Sequence, residues 1–437
     1  MIYPTRRAIL LTALGAPVAL GFGLAMSRLW LAAPAWCLLV GVGVLLDWML
    51  AGWSSALEVE TTIPRVLAAG GEGLARFQVR FKRGPVPREV EVILEADPRI
   101  AAEPPRGTVR PENRAFAAEF RLVPRRRGDG RLTALWLRWR GPLGLVWKQT
   151  TQPLDAPIPI TPNIPAVKEE AMRLFSRDAL FGAKIQLETG GGTEFHALKD
   201  HVSGMDRRAV DWKQSARHGR LLTKEYRTER NHHIILALDC GRAMSDPLAG
   251  LPRIDRAINA ALLLAYVCLR IGDRVGLFAF DARPRLSTKV TAGVNSFGLL
   301  QRLASRIEYS GDESNYTLAL TTLGGELERR SLIVVFTDFT DSTSAELMIE
   351  NIGRLIRRHL VLFVVLRDEE LESLAALEPH TADDVSRAVT AEALLRERET
   401  VITRLRRMGV RIVDAPAERI GPALLSAYLD VKRKDLL

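Results

Sequence analysis

Two long apolar runs open the chain, at residues 8–26 and 29–46, separated only by Ser27 and Arg28. Each approaches the ~20 residues that cross a bilayer as a helix. The pattern therefore predicts a transmembrane helical hairpin over 8–50. From 57 to 152 it changes to short alternating runs. Residues 75–81, 89–94, 115–122 and 132–138 read as strands between Gly and Pro breaks, which predicts a small β-sandwich over 55–152. A Pro-rich crossover follows at 153–165, then a helical stretch at 166–180 and a charged connector that runs to 231. Beyond it, continuous apolar runs alternate with helical periodicity. Strands are expected at 234–238, 275–280, 331–336, 360–366 and 410–413, with a hairpin partner near 286–290. Helices are expected at 254–271, 297–307, 317–329, 345–358, 391–408 and 422–431. Fully apolar strands with helices between them predict a Rossmann-like α/β domain over 232–431, with a mostly parallel, doubly covered central sheet.

Charge sets the expected placement. Arg6 and Arg7 precede the first apolar run, and positive residues stay cytoplasmic. A hairpin returns the chain to the same side, so the expectation is a multi-pass inner-membrane protein, in contact with the lipid bilayer, with its soluble domains in the cytoplasm. Asp47 then reads as an interfacial residue. Arg6-Arg7 ahead of an apolar segment also fits a secretory or twin-arginine signal, which would make the chain a periplasmic adhesin-like module. The formal net charge is +10, from 61 Lys and Arg against 51 Asp and Glu. The excess is dispersed apart from clusters at 125–127 and 432–434, and nowhere interleaves with aromatics as a single-strand binding platform does, so no nucleic-acid partner is expected. Three cysteines, Cys37, Cys240 and Cys268, form no disulfide framework or thiolate cage.

Ligands of open α/β sheets bind beyond the carboxyl ends of strands. Those ends carry Asp239, Asp281, Asp338 with Asp341, and Asp368. Asp239 and Asp338 suit a hard cation that prefers oxygen ligands, and Thr317 offers a hydroxyl. Here the chain resembles the von Willebrand factor A fold, whose metal-ion-dependent adhesion motif reads Asp-x-Ser-x-Ser, with a Thr and an Asp supplied later. Asp239, Thr317 and Asp338 are the counterparts in this chain. Gly241 and Ala243 stand where the two hydroxyls belong, which leaves an incomplete Mg²⁺ shell and a degenerate site at which a weak Mg²⁺ is the one cofactor to consider.

The connector carries Glu194-Phe195 and Leu198, then Gly204, Asp206, Arg208, Val210, Asp211 and Trp212, then Ser215, Ala216 and Arg217. This run resembles the signature of the domain-of-unknown-function 58 family, with Met205 where that family usually has an acid. Asp206, Arg208 and Asp211 suit a charged network and Trp212 a packing role between domains, so the signature reads as structural. His232-His233 precede a strand and point to opposite faces. His196 and His201 have no Cys partner. Gly190, Gly191 and Gly192 lack a following Gly-Lys-Ser/Thr and read as a flexible linker. No Gly-x-Ser-x-Gly elbow occurs.

The expectation is a non-enzymatic, inner-membrane-anchored interaction or assembly factor that displays the von Willebrand A-like domain in the cytoplasm, and the family resemblance implies a MoxR-type AAA ATPase as partner. The expected interaction rim is Asp239, Arg242, Thr317, Asp338 and Asp341. The alternative is a metal-dependent hydrolase using Asp239, Asp338 and Asp341.

Overall fold

The computed structural model describes residues 2–25, 32–51, 57–82, 85–177, 189–202, 209–227, 232–338, 342–434 and 436–437. The chain divides into two compact units, Met1–Thr161 and Pro162–Leu437.

The first unit opens with helices Arg6–Ala25 and Ala32–Leu50. Among the described residues no helix is long and apolar enough to cross a membrane. This overturns the expected transmembrane hairpin and, with it, the multi-pass inner-membrane placement. Arg6 and Arg7 occupy the start of the first helix, and Asp47 interrupts the second. Both fall short of ~20 uninterrupted apolar residues. Asp47 is not interfacial either. Its carboxylate is fully buried and accepts the backbone N–H groups of Leu143 and Leu145 at 2.7 Å and of Val146 at 2.8 Å. Gly141 is required beside it, since a Cβ there would stand 2.3 Å from Asp47 Oδ1. Just ahead of the first helix, the Thr5 hydroxyl donates to the Gly144 carbonyl at 2.8 Å. Both helices are thus fastened to one turn of the β structure.

That structure is two sheets. One joins Ile2–Pro4, Val146–Thr161, Gly128–Arg140, Val90–Ala96 and Gly107–Val109, with Leu67–Ala68 on the side; the other joins Leu57–Thr62, Gly73–Phe81, Ala115–Pro124 and Ile100–Glu103. Alternation drives them together: Ala75, Phe77, Val79 and Phe81 are buried while Arg76, Gln78 and Arg80 face out. Phe81 of one sheet meets Trp139 of the other edge-on at 5.9 Å. The expected Pro-rich crossover is in fact strand to Thr161, with a register shift between Pro153 and Ala156. Prolines are tolerated because the partners on its other side reach only residues 146–148 and 160–161, leaving the middle as an open edge.

The second unit holds a seven-stranded sheet in the order Pro284–Ser287, Arg274–Phe280, His233–Asp239, Ser331–Phe336, Leu360–Arg367, Arg411–Pro416, with Thr291–Ala292 beside Arg274–Phe280. Four of its pairings are parallel and two, at the Pro284–Ser287 edge, antiparallel. A mostly parallel architecture does not describe the chain as a whole: eleven of the sixteen strand pairings among the described residues are antiparallel. Short turns return a strand antiparallel, whereas parallel pairing needs a crossover of a dozen or more residues. Helices Arg253–Ile271 and Ile420–Arg433 pack on one face of this sheet; Tyr316–Glu326, Ser342–Leu355 and Ala382–Arg407 pack on the other. Asp273, fully buried, receives Tyr428 Oη at 2.5 Å, Lys432 Nζ at 2.8 Å and the His232 backbone N–H at 3.3 Å.

The expected linker at Gly190–Gly192 lies within a strand, Thr189–Asp200, that pairs with Leu222–Arg227 through an irregular register between Thr189 and Glu194. Glycine accommodates such an irregularity without a side chain to place.

Candidate functional site at the strand ends

Asp239 ends a central strand whose run 234–238 is apolar throughout, and its carboxyl group is completely buried. Both of its oxygens are engaged by groups of the chain. Oδ1 accepts the Gly241 N–H at 2.9 Å and the Ser314 hydroxyl at 2.5 Å. Oδ2 lies 2.6 Å from Thr337 Oγ1 and 3.0 Å from Tyr316 Oη, which are themselves 2.9 Å apart. Asp239 thus receives both hydroxyls on Oδ2. Burial drives its pKa above the usual carboxylate range, against the opposing pull of bonds from Ser314, Thr337, Gly241 and Tyr316.

Gly241 shows why no serine stands here. A Cβ at this position would lie 2.1 Å from Ser314 Oγ and 3.1 Å from the Asp312 carbonyl. A hydroxyl from another loop fills the space that an Asp-x-Ser side chain would need. Ala243 follows in the short helix Arg242–Ser245, and Ser245 donates to the Ser310 carbonyl at 3.0 Å.

The other expected residues separate. Thr317 is exposed, and its hydroxyl accepts from Asn351 Nδ2 at 3.1 Å. Asp338, 8% exposed, pairs with Arg253 Nε at 2.9 Å. Arg253 also pairs with Asp368, which caps helix Glu369–Ala375 by accepting the Leu371 N–H at 3.0 Å. One guanidinium thus joins the acids of two strand ends. Asp281 is held below the usual range: burial raises it, but bonds from the Arg283 backbone and the Arg285 side chain outweigh that. Arg242 is exposed and makes no ion pair among the described residues. Asp341 lies outside the described residues. Among those described, no group of three or more His, Cys, Asp and Glu is gathered that could hold a metal ion. His232 is engaged with Asp273 at 3.3 Å, and His201 Nδ1 lies 3.0 Å from Thr223 Oγ1.

Ser314, Tyr316, Thr337 and Arg253 are the residues that sequence reasoning missed. Only Thr337 left a trace, as the residue after an apolar strand. The others reach Asp239 and Asp338 from loop and helix positions with no spacing to reveal them.

Of the connector signature, Gly204, Asp206 and Arg208 lie outside the described residues. Asp211 caps helix Trp212–His218 by accepting the Gln214 N–H at 3.1 Å, the bond that chiefly holds its carboxyl below the usual range. Ser215 is buried and its hydroxyl oxygen accepts the Leu222 N–H at 2.8 Å. Arg217 is exposed in the last turn. Trp212, expected to pack, is 69% exposed.

Residues 198–407 match the model of a family described as "Protein of unknown function DUF58". The matched span includes the capped helix, Asp239 and the Arg253 network. Solved structures with local similarity include the conserved hypothetical protein BatB from Bacteroides thetaiotaomicron, 12% identical over 45% of this chain and 98% of that one, with a TM-score of 0.26. An aerotolerance-related membrane protein from Bacteroides fragilis is 14% identical over 46% and 99%, with a TM-score of 0.29. An uncharacterized membrane spanning protein from Vibrio fischeri is 15% identical over 46% and 98%, with a TM-score of 0.17. No curated protein matches the chain.

Proposed function

We propose that the second unit is a non-enzymatic, von Willebrand A-like protein–protein interaction module that works with a MoxR-type AAA ATPase. One observation supports this best: the strand-end acids are spent inside the chain. Asp239 is closed by Gly241, Ser314, Tyr316 and Thr337, and Asp338 and Asp368 share Arg253. Such a centre is a rigid platform. Arg242, exposed beside it, suits a partner carboxylate through a charge-assisted pair. The partner class follows from the family resemblance. Binding of a purified MoxR-type ATPase to the full chain, followed by biolayer interferometry with ATP, tests the reading. Arg242→Ala is expected to weaken it at least about tenfold, or 1.4 kcal/mol. Asp239→Asn, which puts a hydrogen-bonding amide of the same size in place of the carboxyl, is expected to leave it unchanged. Undiminished binding by Arg242→Ala would remove the rim as the docking face.

A further inference from the structure

The helix Trp212–His218 has seven residues, too few to persist unaided. Separate devices hold it. Asp211 caps its start, and Lys224 Nζ pairs with that cap at 3.2 Å. Ser215 ties its middle to Leu222. Gly219 ends it at φ 65°, a left-handed conformation that glycine adopts without strain. The residue these devices display is Trp212, at the first helical position and 69% exposed. Two further apolar side chains lie beside it along the backbone. Leu221, 48% exposed, precedes Leu222, whose carbonyl accepts the Asp211 N–H. Val202, 59% exposed, follows His201, whose N–H donates to the Leu221 carbonyl. A single exposed apolar residue needs no explanation, but an exposed indole on a capped helix, with two exposed aliphatics on the neighbouring backbone, has the composition of an interface anchor.

Charge identifies the occupant. Between residues 209 and 224 the chain carries Lys213, Arg217, Arg220 and Lys224 against Asp211 alone. Lys224 is taken by Asp211 and Arg220 by Asp200 at 3.1 Å. Lys213 and Arg217 make no ion pair among the described residues. A second copy of this cationic patch would be repelled from it. A lone indole is no platform for single-stranded nucleic acid, which stacks successive bases on several aromatics.

We infer that this patch is a docking surface for a protein partner that offers an apolar socket edged by carboxylates, with Trp212 as the anchor and Lys213 and Arg217 as the charged rim. The inference rests on the interaction reading above, and places a second contact on the same partner, apart from Arg242.

The test immobilises the full chain and measures binding of the purified MoxR-type ATPase at low and high salt, with circular dichroism confirming that each variant folds. Trp212→Ala is expected to weaken binding at least about thirtyfold, as a hot-spot residue does. Trp212→Phe is expected to retain most of the affinity, and Arg217→Glu to slow association and flatten its salt dependence. Full binding by Trp212→Ala alongside loss in Arg242→Ala would overturn this surface and leave the rim standing. Loss in Trp212→Ala with full binding by Arg242→Ala would keep this surface and remove the rim. No binding by the unsubstituted chain would sink both. If sedimentation instead shows Trp212→Ala dissociating a dimer of the chain, the occupant is a second copy and the inference fails.

Discussion

Gly241 decides the chemistry of the central strand end through what it lacks. Its missing Cβ leaves room for Ser314 Oγ, which donates to Asp239 at 2.5 Å. Gly241→Ser, which writes the adhesion-type hydroxyl back into the chain, is therefore expected to destabilise the second unit. The new side chain displaces Ser314 and leaves a buried oxygen short of its partner, a loss of about 1–3 kcal/mol. Urea denaturation reads this directly, and an unchanged midpoint would show that the pocket accommodates both groups. The absence of hydroxyls at 241 and 243 was legible in the sequence. Their replacement was not, because Ser314, Tyr316 and Thr337 stand 75 to 98 residues away from Asp239. Thr317 was the natural choice of hydroxyl by position, but one residue along a helix turns a side chain by about 100°, and Tyr316 took the inward place.

Elements were easiest to read where their pattern was extreme. The run 331–336 coincides with the strand Ser331–Phe336, and 234–238 lies inside His233–Asp239. A fully buried strand has a continuous apolar signature that few alternatives share. The opening runs were harder. Apolar length argues for a helix, yet it does not reveal what a helix is fastened to, and Asp47 was the clue that was misread. A carboxylate that caps three backbone N–H groups of a turn is a structural pin. Asp47→Ala is expected to cost about 2–4 kcal/mol, since several buried donors lose their acceptor together. Hydrogen exchange should then show lost protection at Leu143, Leu145 and Val146. Unaltered exchange there would mean that the turn holds without the pin. The Pro-rich stretch misled for a related reason: proline vetoes a central strand and permits an edge, and composition alone does not say which side is open.

At the scale of the molecule, the chain builds two cores of different grammar, one alternating and one continuous in its apolar pattern. In the second, Asp273 joins the residue ahead of the first central strand, His232, to Tyr428 and Lys432 on the final helix. Burial alone would raise this carboxyl, but the bonds from His232, Lys432 and Tyr428 outweigh it and hold the pKa below the usual carboxylate range. The folded state therefore keeps the charge to lower pH than the unfolded chain does. The stabilisation is complete above the unfolded value and disappears as pH falls through the folded one. Lys432→Met removes the strongest cation from the group and is expected to move the acid-unfolding midpoint to higher pH, as followed by circular dichroism. A midpoint that stays put would show that the lysine carries none of the effect. Asp273 works as a buckle: it closes the unit where its sheet begins and its last helix ends, and a single proton undoes both ends together.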